Sequence, residues 1–377
     1  MGQRRVGKSY LMRQIMRVLA ERRVVPTHIV YINKESGDFD DVRTSKDLLS
    51  LIQAYRQTCR ITKRLYVFVD EVQDIDGWEK AVVSLAQDPQ QLYEVFLTGS
   101  NSTMLSSELA TKLTGRYISF DVFSFSYKEF CQSRSLVVGK ESYLVYLRIG
   151  GLPELLHLPN EETSRKYLAS LRYSILLKDI VSHFVVKDVP LLEDIFSFCV
   201  DSIGSLVSVQ NIVMTLKKQH RKTNHETVSL YLDYLCQAFL LHEAMRYDVR
   251  GHAVLERQRK YYLNDLAFRT FHRSSFDPAP GRLLENAVFL HYRSCGYQVY
   301  VGVVGKKEVD FVVEKNGQRM YIQCAYILSD ESVVSREFGV LEEINTHGQK
   351  YVITLDDVSF GMRNGIEHIR PWELKIE

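Results

Sequence analysis

Two short stretches near the start of the chain place glycines, a lysine, a serine and two carboxylates at spacings that could do chemistry. The first, GQRRVGKS at residues 2–9, fits the pattern GxxxxGK[ST] without a mismatch. In this pattern a glycine-bounded loop runs into a helix, and its backbone N–H groups converge on phosphate oxygens. The lysine reaches the β- and γ-phosphates, and the serine hydroxyl binds magnesium. The predicted nucleotide contacts are Gly2, Arg5, Val6, Gly7, Lys8, Ser9 and Tyr10.

The second stretch, LYVFVDE at residues 65–71, is a continuous apolar strand that ends in two carboxylates. Asp70 is suited to hold magnesium through water, together with Ser9, and Glu71 is suited to polarise an attacking water. Alternatively, the acidic pair is only a solvated turn at the end of a strand. Its strand type and its position downstream of GKS favour the catalytic interpretation.

Polar residues after the next strand and an arginine further along extend this set. Thr98 and Ser100 follow the strand in YEVFLTGS, where a polar side chain could sense a γ-phosphate. Arg116, in LTGRYISF, precedes a further predicted strand and could neutralise transition-state charge in its own or a neighbouring subunit. The alternatives are a loop of small residues and a surface arginine.

Alternating strands and helices must position these residues. In the first third of the chain, this alternation predicts a parallel sheet covered on both faces. From about Ser126 the pattern is helical. Three helical patterns between Val189 and about Asp265 precede a strand–turn–strand pair, which is typical of a winged helix. The last section alternates again and predicts a compact α/β unit.

The composition limits the class of protein. The 377-residue chain is 45% hydrophobic and 25% charged with a net charge of +2, which is ordinary for a soluble globular protein and does not by itself predict nucleic-acid binding. Six scattered cysteines without zinc-site spacing favour a reducing compartment. No run approaches the roughly 20 apolar residues of a membrane span. We therefore expect a cytoplasmic protein that does not bind membranes.

Taken in order, GQRRVGKS, LYVFVDEVQ, LTGSNS, LTGRY, YLRIGGLPE, LENAVFLHYR and EVDFVVEKNG resemble the AAA+-like P-loop ATPases of bacteria and archaea that carry a C-terminal domain of unknown function. The resemblance covers nearly the whole chain. It implies ATP and magnesium as cofactors and a fold of four parts. These parts are an ATPase core (1–125), a helical lid (126–187), a winged helix (188–265) and a restriction-endonuclease-like domain (266–377).

Nucleases of the restriction-endonuclease type use a helix glutamate, a strand aspartate and a [DE]xK triplet to bind magnesium and activate water. Glu285 and Asp310 match the first two positions, but Gln323 replaces the acidic residue of the triplet and Ala325 replaces its lysine. Lys306 or Lys307 could substitute from a neighbouring strand. We expect a nuclease fold without nuclease activity that serves as a docking surface for DNA or protein, or in which the two carboxylates are purely structural.

These interpretations converge on a cytoplasmic, magnesium-dependent ATPase that couples its nucleotide state to the winged-helix and nuclease-like parts, which act on DNA or a protein partner. The alternatives are a nucleotide-binding scaffold with little turnover and an ATP-gated nuclease, and homo-oligomerisation stays open. The apolar strand that normally precedes a phosphate loop is missing before Gly2. We therefore expect either that the natural start lies upstream or that this chain binds ATP weakly.

Overall fold

The computed structural model describes residues 1–102, 117–272 and 279–375. The chain folds into two compact units, one formed by Met1–Val122 with Gln237–Phe239 and the other by Phe123–Cys236 with Leu240–Glu377. Among the described residues, the structure has no helix that is both long and apolar enough to cross a lipid bilayer.

The first unit contains a three-stranded parallel sheet, with strands in the order β1-β2-β3. Its strands and helices are α1 (Lys8–Glu21), β1 (Ile29–Asn33), α2 (Ser45–Thr58), β2 (Leu65–Asp70), α3 (Trp78–Ala86) and β3 (Tyr93–Leu97). The register places Asn33 beside Asp70 and Val69 beside Leu97. Strand β2 is in the middle, which explains its continuous apolar sequence. The predicted parallel sheet is confirmed.

A cavity of about 440 Å³ lies beside the edge of β3 that is not paired with β2. It is lined by α1, α3, β3 and residues of the segment 117–122. The sequence predicts a strand in TGRYISFDVFSF, residues 114–125, but the described residues 117–125 form none in the structure. The physical reason is that a strand needs a neighbouring ladder, and the described residues place none along this segment. Met1 holds the segment at two points: its amino group donates to the Phe120 carbonyl oxygen at 2.5 Å, and its carbonyl oxygen accepts from the Val122 N–H at 2.6 Å.

The second unit begins with the helical region that the sequence predicts. Its helices are α4 (Tyr127–Arg134), α5 (Lys140–Ile149), α6 (Glu161–Ser174), α7 (Val189–Asp201), α8 (Val209–Lys218), α9 (His225–Gln237), α10 (Ala267–His272), α11 (Pro280–Ser294) and α12 (Glu331–Glu342). A π-helical turn, Ile175–Val181, continues α6. Side chains of Ser126, Asn160, Asp188, Ser208 and Asp330 cap α4, α6, α7, α8 and α12, as expected for short polar residues at helix starts.

A nine-stranded sheet forms the other half of this unit, in the order β11-β12-β10-β9-β8-β7-β5-β6-β4. Its strands are β4 (Leu206–Val207), β5 (Leu241–Asp248), β6 (Ala253–Leu263), β7 (Gln298–Val304), β8 (Lys307–Lys315), β9 (Gln318–Ala325), β10 (Gln349–Thr354), β11 (Met362–Arg363) and β12 (Ile366–Ile369). Strands β5 and β6 form the antiparallel pair that the sequence predicts. Because β5 also pairs in parallel with β7, this hairpin and the C-terminal strands share one sheet, which the sequence does not predict.

Candidate nucleotide site

The loop of residues 2–7 leads into α1 through a glycine that the backbone requires. Gly7 precedes the helix with φ of 104°, in the left-handed region that favours glycine. Gly2 is needed for a different reason, because a Cβ there would lie 2.2 Å from the Val122 carbonyl oxygen. In the described structure no side chain caps α1 and its first turn has no acidic residue, so this N-terminus suits an anion.

Lys8 is the buried cation of this loop, with only 4% of its surface exposed. Its ammonium donates to the carbonyl oxygens of Gly2 at 2.9 Å and Gln3 at 3.0 Å. It also lies 3.5 Å from Glu71 Oε1. The loop lysine and the predicted base therefore meet in the same buried place, which their separation in the sequence does not require.

Asp70 is oriented from both sides by neighbouring strands. The Tyr31 hydroxyl on β1 donates to Asp70 Oδ2 at 2.6 Å, and the Thr98 hydroxyl donates to Oδ1. Burial and the hydrogen bond to Asp70 raise the pKa of Tyr31 to about 12, so this hydroxyl keeps its proton and acts as a donor. Sequence reasoning did not identify Tyr31. The available signal was its place on a strand expected to neighbour β2.

Glu71 occupies a left-handed backbone conformation, with φ of 54°, which is uncommon for a residue with a side chain. Two bonds to Thr98 hold this turn: the Glu71 N–H donates to the Thr98 hydroxyl and the Val72 N–H to its carbonyl oxygen, both at 3.0 Å. The Gln73 amide then donates to Glu71 Oε2 at 2.5 Å and lies 3.4 Å from the Ser100 hydroxyl. Sequence reasoning did not identify Gln73, although it lies two residues from the predicted base.

The other predicted contacts have different surroundings. Val6 belongs to the buried core, Ser9 lies in the first turn of α1, and Tyr10 is 66% exposed. Arg5 is exposed and adopts a φ of 70°. Arg116 lies outside the described residues. The structure thus brings together Lys8, Asp70, Glu71, Thr98 and Ser100, and adds Tyr31 and Gln73 to them.

A separate charge cluster in the second unit contains two of the predicted nuclease-like positions. The Lys260 ammonium on β6 lies 2.9 Å from Glu285 Oε1, 2.7 Å from Glu308 Oε1 and 3.6 Å from Asp310 Oδ1. Lys260 is 2% exposed. The Tyr262 hydroxyl also donates to Glu285 Oε1, at 2.7 Å. Lys307, which with Lys306 was the alternative source of a cation here, contacts Glu343 at 2.5 Å.

The Gln323 side chain connects the Asp310 backbone to the Glu337 carboxylate, at the position where the nuclease pattern has an acidic residue. Its Oε1 accepts from the Asp310 N–H at 3.2 Å, and its Nε2 donates to Glu337 at 2.9 Å. Burial and the neighbouring Glu285 charge raise the pKa of Asp310 to about 7, although Lys260 opposes this shift. Within the described ranges, no group of three or more His, Cys, Asp or Glu side chains is arranged to hold a metal ion.

Comparison with known proteins agrees with the geometry of the first unit. Residues 1–131 match the model of an AAA domain family, and residues 140–277 match a family described as a domain of unknown function. An uncharacterized protein of Haemophilus influenzae is 33% identical over 359 residues, which cover 94% of this chain and 87% of that protein. One of Methanocaldococcus jannaschii is 26% identical over 357 residues, covering 91% and 77%.

Two solved structures are also similar. A Walker-type ATPase of Pyrococcus abyssi has a TM-score of 0.45 at 16% identity, covering 72% of this chain and 89% of that one. The Orc1 protein of Aeropyrum pernix, solved in complex with DNA, has a TM-score of 0.32 at 14% identity, covering 72% and 85%. The family follows from the sequence matches: the chain belongs with the Haemophilus influenzae protein in one family, and residues 1–131 of this chain match the AAA domain.

Proposed function

We propose that the protein is a magnesium-dependent ATPase whose first unit carries the chemistry. The supporting observation is the buried contact between Lys8 of the glycine-bounded loop and Glu71, which follows Asp70 at the end of β2. The donor set fits the nucleotide: an uncapped helix N-terminus and an ammonium for phosphate, and a hydroxyl and a carboxylate for magnesium. Lys8 and the loop N–H groups would hold the phosphates, and Ser9 and Asp70 the metal.

ATP, when bound, supplies the phosphoanhydride bond. The groups of the chain bind the phosphates and provide the base. Lys8 must exchange the Gly2 and Gln3 carbonyls for phosphate oxygens, which also removes its charge from Glu71. Glu71 is then a carboxylate base in a buried place, where its hydrogen-bonded neighbours set its position. Tyr31 and Thr98 keep Asp70 from turning away. Arg116 stays a candidate for stabilising transition-state charge.

We further propose that nucleotide state is coupled to the parts that follow, a lid (126–187), a winged helix (188–265) and a nuclease-like domain (266–377). The order α7-β4-α8-α9-β5-β6, with β4 paired to β6, supports the winged helix. Neighbouring Glu285 and Asp310 support the nuclease-like assignment. Gln323 stands where a nuclease has an acidic residue, and Lys260 neutralises the neighbouring carboxylates. We therefore propose that this domain does not cleave DNA but docks DNA or a protein.

ATP binding and turnover by the wild type test the proposal, against Lys8→Ala and Glu71→Gln variants. We expect Lys8→Ala to lose nucleotide affinity and Glu71→Gln to bind ATP but turn over slowly. Lys46→Ala, at an exposed lysine of α2, is the matched control and should behave as wild type. Equal turnover in all four proteins would show that these residues do not carry the chemistry. Tight ATP binding without turnover in the wild type would favour the scaffold alternative.

The same preparation distinguishes the ATP-gated nuclease. Supercoiled plasmid incubated with the protein, ATP and either magnesium or manganese should stay uncut. Nicking that disappears in an Asp310→Asn variant would establish the nuclease alternative instead.

A further inference from the structure

We propose that Gln73 is a positioning residue for the water that Glu71 activates, an inference that rests on the proposed ATPase function. Gln73 lies in the short 3₁₀ turn Val72–Asp74, directly after the left-handed Glu71. This turn folds the glutamine side chain back onto the glutamate, as their 2.5 Å hydrogen bond records.

The chemistry of its neighbours fixes the orientation of the Gln73 amide. The group that faces Glu71 Oε2 is the NH₂, which donates its hydrogen bond to this oxygen. The second neighbour of that NH₂ is the Ser100 hydroxyl, at 3.4 Å. The amide nitrogen is therefore committed to the protein, and the amide oxygen lies on the other side of the same planar group.

That oxygen is the observation that carries the proposal. Gln73 Oε1 is buried and has no hydrogen-bond partner among the residues that the structure describes. A buried acceptor without a donor costs about 1–3 kcal/mol. This acceptor belongs to the same amide group that contacts the base, and a donor that enters with the substrate would satisfy it. The attacking water is such a donor.

Hydrolysis explains why a second acceptor is useful. A P–O bond forms to the water oxygen, the bond to the bridging oxygen breaks with its electron pair left on ADP, and one water proton goes to a base. The water attacks with a lone pair, so both of its hydrogens must point away from phosphorus. Glu71 accepts one hydrogen and Gln73 Oε1 accepts the other, as glutamines do in other phosphate-loop hydrolases.

The test compares Gln73→Ala with wild type and with Gln87→Ala, an exposed glutamine after α3. For Gln73→Ala we expect kcat to fall about 10- to 100-fold, as for a mispositioned reactant. KM and ADP affinity should stay within about twofold of wild type, because Gln73 is not placed on the phosphates. A readout independent of turnover is the affinity for ADP–aluminium fluoride, which should fall with kcat in Gln73→Ala alone.

The Gln73→Glu variant distinguishes a loss of water positioning from a loss of folding. It keeps an acceptor but sets two carboxylates side by side, so one of them takes up a proton at a raised pKa. Its kcat should recover as the pH falls from about 8 to 6, whereas Gln73→Ala should stay slow throughout. If Gln73→Ala has the same kcat and the same affinity for ADP–aluminium fluoride as wild type, the inference about Gln73 is overturned but the proposed ATPase function is not. A wild-type protein that does not hydrolyse ATP would overturn both.

Discussion

The Lys260 ammonium and a Glu285 carboxylate oxygen lie 2.9 Å apart, and Lys260 is almost fully removed from solvent. Two more carboxylates, of Glu308 and Asp310, share the same ammonium. The negative charges of its three acidic neighbours favour the charged form of this buried lysine, whereas burial alone would favour the neutral form. The cation that neutralises these carboxylates thus comes from β6.

Lys260→Met should therefore destabilise the protein by about 3–5 kcal/mol, because it leaves buried carboxylates without their counter-charge. Urea unfolding followed by circular dichroism measures this loss. Lys307→Met is the matched control: it removes a lysine from an exposed pair with Glu343 and should cost less than about 1 kcal/mol. Equal losses in the two variants would mean that the cluster contributes no more than a surface pair.

Asp265 should make stability depend on pH. Burial raises its pKa from 3.8 to about 6, while bonds from Ala267, Ser124 and Gly151 oppose the shift. The folded state then holds a proton that the unfolded state has lost, so this group's contribution to the free energy of unfolding falls as pH rises from about 4 to 6. The fall is on the order of 3 kcal/mol.

The measurement is the difference in unfolding free energy between wild type and Asp265→Asn across this range. Asparagine has no proton to lose, so the wild type should lose stability relative to the variant as pH rises and level off above about pH 7. A constant difference would show that Asp265 has an ordinary pKa in the folded protein.

Gly151 should not tolerate a side chain. A Cβ at this position would lie 2.2 Å from the Phe125 carbonyl oxygen, in a turn where the Gly151 N–H donates to Asp265 at 2.8 Å. We expect Gly151→Ala to cost about 1–3 kcal/mol by overpacking. Gly339→Ala, inside α12 with open space around its Cα, should instead stabilise by about 0.5–1 kcal/mol. Thermal unfolding of both variants decides this, and a shift of the same sign in both would contradict the steric explanation.

Tyr31→Phe should weaken the proposed magnesium-dependent chemistry without unfolding the sheet. The variant loses the bond to Asp70 Oδ2 but keeps the ring and the Thr98 bond to Oδ1. Loss of such an outer partner costs about tenfold in metal affinity, so the magnesium concentration for half-maximal turnover should rise by about that factor. Tyr55→Phe removes a comparable bond, to the Thr27 carbonyl, and is the control. An unchanged magnesium requirement in Tyr31→Phe would show that Tyr31 does not contribute to magnesium binding.

The parallel sheet and the neighbouring positions of Asp70 and Thr98 could be predicted from sequence, because they follow from local patterns. A glycine-bounded loop before a helix and polar residues after apolar strands are readable along the chain, and parallel strands bring their carboxyl ends to one edge. The strand predicted in residues 114–125 was wrong for the described residues 117–125, because a strand exists only beside another one.

By itself, then, the sequence determined which residues form the loop, the acidic strand end and the polar strand tip, since each depends on a few consecutive residues. Only the tertiary structure decided that Tyr31 and Gln73 join them and that Lys260 is the cation beside Glu285 and Asp310. Those contacts depend on which strands pair, in which register, and on how a side chain returns across a turn. No local spacing encodes the pairing of β5 with β7, which makes one sheet of the hairpin and the C-terminal strands.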